Sequence, residues 1–213
     1  MRVVSNTDLV LPIDIETVKG FMDPAEGAAL YNAAFGVADR GPVMEIGSYC
    51  GKSTVYLGAA CKARGALLYA LDHHRGSEEN QPGWEHHDTD LWDTRANAMD
   101  TMPFFRDTIR RAQLEDTVVA IVTRSRLAAR HWNTPLSMLF IDGGHALEMA
   151  IIDYRGFNGH VIPGGILAIH DIFPDPKDGG QAPWEIYKLA LASGLFEELA
   201  MVKSLGLLRR ILI

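Results

Sequence analysis

The sequence predicts an α/β fold with a central, mostly parallel seven-stranded sheet, helices on both faces and an antiparallel C-terminal hairpin at one edge. Three observations lead there. Short apolar runs alternate with stretches of helical spacing over most of the 213 residues, the pattern of a parallel sheet between two helical layers. The first of these runs ends in a glycine-bearing loop, "EIGSYCGKST" at 45–54. The last two, "LFEELAMVKS" and "LGLLRRILI", are joined by only a tight connection, which suits antiparallel pairing.

Each element has its own justification. From Pro24 to Asp39, Ala and Leu recur at helical spacing, and the Asp23-Pro24 pair is a start signal. "PVMEIG" (42–47) reads as a strand, "KSTVYLGAACKA" as a helix, and "ALLYALD" (66–72) as a buried strand ending in an acid. His73 to Asp90 lacks periodicity and is rich in polar residues, Gly and Pro, a long loop of the kind that carries function or moves. "LWDTRANAMDTMPFFRDTIRRAQL" has helical spacing with Pro103 as a break. Strand-like "TVVAIV" (117–122), a short helix over "RLAARHW", strand-like "LSMLFID" (136–142), a helix from about His145 to Asn158, strand-like "GILAIHD" (165–171) and the helix "PWEIYKLALASG" complete the series.

Composition bounds the function. At 213 residues, with 47% hydrophobic and 22% charged residues, the chain fits one soluble globular domain spanning 1–213. A net charge of -7 leaves no general basic surface, which argues against nonspecific binding to nucleic acid or anionic membrane. Cys50 and Cys61 show neither disulfide nor metal spacing, and "MRVVSNTDLV" does not resemble a signal peptide, so a cytoplasmic location is the default expectation. No apolar run approaches the roughly 18 to 20 residues needed to span a bilayer.

The glycine loop admits two readings. A phosphate-binding P-loop, GxxxxGK[ST], has four residues between its glycines; Gly47 and Gly51 have three between them, although Lys52 and Ser53 follow correctly. "LSMLFID" would then be a Walker B strand. Against this, Glu45 ahead of the glycines would repel a triphosphate and suit a cationic ligand. Asp72 follows by roughly the 20 residues that separate a glycine loop from a ribose-binding acid.

Taken with "YALD", "LFIDGGHALEMAIIDYRGF" and "VIPGGILAIHD", this loop makes residues 18–212 resemble a Rossmann-like class I methyltransferase that uses S-adenosylmethionine (SAM). More narrowly, "IDGGH" through "PGGILAIHDIF" is similar to the branch containing macrolide-sugar O-methyltransferases and cephalosporin-hydroxylase-like proteins, and the chain looks like the sugar methyltransferases of mycobacterial methylmannose polysaccharides. The resemblance implies that Glu45, Gly47, Ser48 and Gly51 lie along SAM, that Asp72 holds its ribose and that Ser125 lies near adenine, with Asp142 close to the donor.

The acceptor implied is a sugar or oligosaccharide hydroxyl, a poor nucleophile helped by a base, a divalent cation or both. His145 stands after a tight glycine turn where a helix begins, and the positive end of that helix would keep its imidazole neutral and able to accept a proton. Asp142 and Asp171 end adjacent predicted strands, and two carboxylates suit Mg²⁺. His170 stands where many metal-dependent relatives have an acid; it can ligate a softer metal or point into the core. Trp84, His86 and His87 in the 73–90 loop, and Trp184 beyond Asp171, are candidate acceptor contacts. Apolar residues of the arm 1–23 can pack on a second subunit, and the resemblance favours a homodimer. The rival functions are a P-loop-like NTPase or kinase centred on Lys52, and a noncatalytic SAM-binding module.

Overall fold

The computed structural model describes residues 9–84, 87–144 and 146–212, without the side chain of Glu79. Helix α1 (Pro24–Phe35) starts where the sequence places it: the Asp23 carboxylate accepts the N–H of Ala25, and Pro24 opens the first turn. Strand β1 (Val43–Ile46), helix α2 (Lys52–Arg64) and strand β2 (Leu68–Asp72) form the first parallel unit. A small ribbon of β3 (Trp92–Asp93) and β4 (Ala98–Met99) precedes helix α3 (Met102–Arg111). Strand β5 (Val118–Val122), the short helix α4 (Ser125–Ala128), β6 (Leu136–Ile141), α5 (Leu147–Phe157), β7 (Val161–Ile169) and α6 (Ala182–Ala192) follow, and the hairpin is β8 (Phe196–Val202) with β9 (Leu205–Arg210).

The seven-stranded sheet has the order β5-β2-β1-β6-β7-β9-β8. Its first five strands are parallel, and β9 pairs antiparallel with both β7 and β8. Strand β6, central and buried at every position, shows why "LSMLFI" is apolar except for Ser137, whose hydroxyl donates to the Gly41 carbonyl: a parallel strand covered on both faces has no solvent side. One face packs Phe157 and Tyr154 of α5 and Ile186 and Tyr187 of α6 against Leu139 and Ile141. The other packs Leu30 of α1 and Leu57 of α2 against Met138 and Phe140. None of the helices among the described residues is long and apolar enough to cross a membrane.

Three boundaries differ from the sequence expectation. The helix expected from residue 91 begins at Met102, because 92–93 and 98–99 pair as a ribbon whose turn places Asn97 at φ 48°. Pro103 therefore opens that helix instead of breaking it. Helix α1 ends at Phe35, before Gly36, and a separate 3-10 turn covers Ala38–Arg40. Strand β7 runs over 161–169, so His170 and Asp171 lie just past its end, with Asp171 at φ 57°.

Candidate active site

The carboxyl ends of the parallel strands open onto a cavity of about 1030 Å³. Its floor is Gly47–Tyr49 after β1, Asp72 at the end of β2, Arg124–Ser125 after β5, Asp142–Gly144 after β6 and His170–Asp171 after β7. Lys19–Met22 of the arm and the loop through Gly76, Asn80 and Trp84 form its mouth. Such a crevice is where open α/β sheets bind ligands, and its size admits two small molecules side by side. Tyr49 (φ 46°), His74 (φ 57°) and Asp171 (φ 57°) are left-handed non-glycine residues, and all three lie in the turns just past strand ends. Backbone strain of this kind concentrates at ligand sites.

Asp72 organises the glycine loop. Its Oδ2 accepts the N–H groups of Ser48 (3.0 Å) and Tyr49 (2.8 Å), and its Oδ1 accepts that of His74 (2.7 Å). The backbone donors that would wrap a phosphate in a P-loop are thus committed to a carboxylate, which would itself repel phosphate. Lys52 lines the cavity edge, with its Nζ 3.9 Å from Glu16 of the arm. Gly47 is required for close approach, since at φ +92° a Cβ on it would lie 2.0 Å from the carbonyl oxygen of Asp142.

Glu45 does a different job from the one expected of it. It is fully buried below the loop, where Ser53 Oγ and Thr54 Oγ1 each donate to it at 2.6 Å. Burial pushes its pKa up to about 7, against the opposing effect of these hydroxyl donors. It ties β1 to the first turn of α2 and does not line the cavity. Gly51 is likewise the N-cap residue of that helix, behind the lining.

Asp142, His170 and Asp171 form the centre of the cavity floor. Each offers a ligand atom within 4.8 Å of the others. The 95%-buried His170 ring has Nδ1 3.0 Å from Asp142 Oδ1 and 3.5 Å from Asp171 Oδ1, and Nε2 3.0 Å from Glu26 Oε2. Glu26, buried on α1, also accepts the N–H and the hydroxyl of Ser204 at 2.8 Å each. Burial alone would strip the proton from His170, but Asp142, Glu26 and Asp171 outweigh it and push the pKa up to about 11. Burial raises the pKa of Glu26, whereas its bonds to His170 and Ser204 bring it below the ordinary carboxylate range.

Two other features belong to the site. Lys19 Nζ reaches Asp88 at 2.6 Å and Asp90 at 2.9 Å and lies over the Phe104 ring, strapping the arm to the 73–90 loop. Asp153, on the inner face of α5, is 3% exposed and lines the cavity.

Of the residues singled out in the sequence, the structure gathers Gly47, Ser48, Asp72, Ser125, Asp142, His170, Asp171 and Trp84 around the cavity. His145 and His86 lie outside the described residues. His87 is turned into its own loop, with Nδ1 3.0 Å from the carbonyl oxygen of Asn80 and its ring against Trp92. Trp184 stacks on Tyr187 beside the α6 core and does not line the cavity; "PWEIY" is the opening turn of a core helix. Sequence reasoning missed Glu26 and Asp153. The second had a signal, an acid on the helical stripe Ala150, Asp153, Tyr154, Phe157 that α5 buries.

Comparison with solved structures finds the same fold at low identity. Cofactor-bound Rv0187 from MTB is 15% identical, with a TM-score of 0.66 over 91% of this chain and 84% of that one. The O-methyltransferase TomG from Streptomyces achromogenes is 15% identical, with a TM-score of 0.61 over 90% and 82%. The O-methyltransferase NovP is 16% identical, with a TM-score of 0.66 over 88% and 80%. The family described as Methyltransferase domain (Methyltransf_24) matches residues 44–172. That match takes in more than half of the chain, from β1 through Asp142, His170 and Asp171, and the protein belongs to this methyltransferase family.

Proposed function

We propose that the protein is a SAM-dependent O-methyltransferase that methylates a hydroxyl of a sugar or glycoside. The observation that carries this reading is the acid-lined cavity at the strand ends, with Asp72, Asp142 and Asp171 on its floor and the loop N–H groups held by Asp72. It suits a cationic nucleoside better than a polyphosphate. TomG, of like fold, was solved in complex with SAM, which supports the donor. Trp84, 59% exposed at the cavity mouth, is a surface for stacking a sugar ring and supports the acceptor class.

When bound, the donor supplies an electrophilic methyl group on a sulfonium, so positioning an acceptor oxygen in line is the main task of the chain. Gly47–Tyr49 and Asp72 shape the donor side, and Asp142 stands between donor and acceptor. His145, next to Gly144 of the cavity floor, is the proposed base that takes the hydroxyl proton. Asp142 and Asp171 with His170 Nδ1 fit a divalent cation. Glu26 accepts a hydrogen bond from Nε2–H, which leaves Nδ1 facing the two acids, as outer-shell carboxylates do for metal-bound histidines. A bound cation would supply Lewis-acid polarisation of the acceptor hydroxyl, and His170 would hold it through a neutral ring with Nδ1 unprotonated, its proton released to solvent.

The test is calorimetry with S-adenosylhomocysteine (SAH) and with ATP, followed by methyl transfer to a panel of sugars with and without chelator. Micromolar SAH binding, no ATP binding and chelator-sensitive turnover are expected. ATP binding would overturn the donor, and full activity in chelator would remove the cation. Turnover of His145→Ala near the wild-type level would remove the base.

A further inference from the structure

The two edges of the seven-stranded sheet are built differently. An edge strand offers unpaired N–H and C=O groups to any other strand, and folded proteins blunt it with charges, prolines or bulges. Strand β8 carries such devices: Glu197 and Glu198 are exposed, and its register with β9 shifts between Glu198 and Ala200. Strand β5 carries none. Among the described residues it pairs only with β2, in unbroken register from Val118 to Val122, and its five residues are all apolar. Val119 is 40% exposed and Val122 55%, and Ala120 is exposed as well.

The backbone fixes what this edge presents. The Leu68 N–H donates to the Thr117 carbonyl, and the Thr123 N–H donates to that of Asp72. Residues 117, 119, 121 and 123 therefore turn their polar groups toward β2, and Val118, Ala120 and Val122 turn theirs outward. The Leu114 carbonyl takes the Val118 N–H. That leaves the Val118 carbonyl and both polar groups of Ala120 and Val122 for a partner strand.

The stretch "DTVVAIVTR" at 116–124 is nearly its own mirror image about Ala120. Laid antiparallel on a second copy, it sets Ala120 opposite Ala120, Val119 opposite Ile121, Val118 opposite Val122, Thr117 opposite Thr123 and Asp116 opposite Arg124. Like faces like, and the outermost pair is opposite in charge, the pairing that stabilises a ladder. A slip of one residue would set outward groups against inward ones. A slip of two would put Asp116 against Val122 or Arg124 against Val118. Asp116 and Arg124 are both exposed, and neither has an ion-pair partner in its own chain among the described residues.

We propose that the free edge of β5 is the interface between two copies of this chain, paired antiparallel about a two-fold axis at Ala120 into one continuous sheet. The contact is isologous, so the Asp116–Arg124 pair is made twice. Arg124 and Ser125 also line the cavity, which brings Asp116 of the second copy to the rim of each site. The arm is not this contact, since Leu9, Leu11, Ile13 and Ile15 pack on their own domain. The inference holds whatever donor and acceptor the cavity takes.

Sedimentation equilibrium of the full chain from about 1 to about 100 μM tests it. A dimer is expected. Ala120→Pro removes the central donor of the free edge and leaves the β2 ladder intact, because that N–H points away from β2. Asp116→Arg turns two attractive pairs into two repulsive ones. Each variant should raise the dimer dissociation constant at least about tenfold, and Asp116→Arg combined with Arg124→Asp should return it to within about threefold of the wild type. Thermal melts check folding; the charge exchange carries the test if Ala120→Pro does not fold. A wild type that stays monomeric throughout overturns the inference and leaves the edge to a strand of another protein. A dimer that Asp116→Arg does not weaken, or that the double exchange does not restore, places the contact elsewhere and overturns it too.

Discussion

Replacing Asp72 should unfold the glycine loop before it affects anything else. Its carboxylate accepts three backbone N–H groups, from Ser48 (3.0 Å), Tyr49 (2.8 Å) and His74 (2.7 Å). Two of these belong to left-handed non-glycine residues, Tyr49 and His74, which stay there only while something holds them. A hydrogen bond to a buried charged acceptor contributes about 1.5–3 kcal/mol, and the half-buried setting of Asp72 reduces that to about 1 kcal/mol each. Asp72→Ala should therefore lose about 3 kcal/mol, which for a chain of this length lowers Tm by about 6–12 °C. Asp72→Asn can keep its amide oxygen toward Ser48 and Tyr49 but then turns its NH₂ toward the N–H of His74. It should lose about 1 kcal/mol, or about 2–4 °C. Thermal and urea melts read these losses, and calorimetry with SAH reads the site. An Ala variant that melts with the wild type and loses only SAH affinity would refute the reasoning and return Asp72 to the role of a plain ribose ligand.

Glu45 should give stability a pH dependence. Its folded pKa of about 7 lies above the ordinary 4.5, so the protonated form favours folding and its contribution is full below pH 4.5. The contribution is lost as pH rises to about 7, in all about 3 kcal/mol for a carboxyl displaced this far. Urea melts at pH 5 and 8 should show Glu45→Gln relatively stabilised at pH 8, and parallel profiles for variant and wild type would contradict the assignment. Glu26→Ala leaves the buried His170 ring without its Nε2 acceptor and should destabilise by about 3 kcal/mol or more, read as a melt shifted down by at least about 6 °C. A shift of under about 2 °C would mean that this pair is not a buried charge pair.

The strands and their order along the chain were legible because a parallel sheet writes itself as short, mostly apolar runs, "VMEI", "LSMLFI" and "GILAI", broken only by Glu45 and Ser137. The acids at their ends were legible because a strand end in such a sheet is where side chains first meet solvent. What those acids bond to was not. Asp72 and Glu45 take donors from loop backbone and from the next helix, and no spacing rule announces that a carboxylate faces inward. Glu26 stands three residues after the Asp23 cap of α1, so in sequence it reads as an ordinary helix-start acid; its partners His170 and Ser204 are 144 and 178 residues away. The 92–99 ribbon was lost to helical spacing that continues across it.

The Ser204–Glu26–His170 chain of hydrogen bonds joins helix α1 to the turn between β8 and β9. A nascent chain therefore carries Asp142, His170 and Asp171 for some time before they acquire their finished arrangement, because the tether of Glu26 arrives only with residue 204. Loss of β8 and β9 to a protease would take Ser204 from Glu26 and loosen the carboxylate that holds His170, so this hairpin supports the cavity floor as well as the sheet edge.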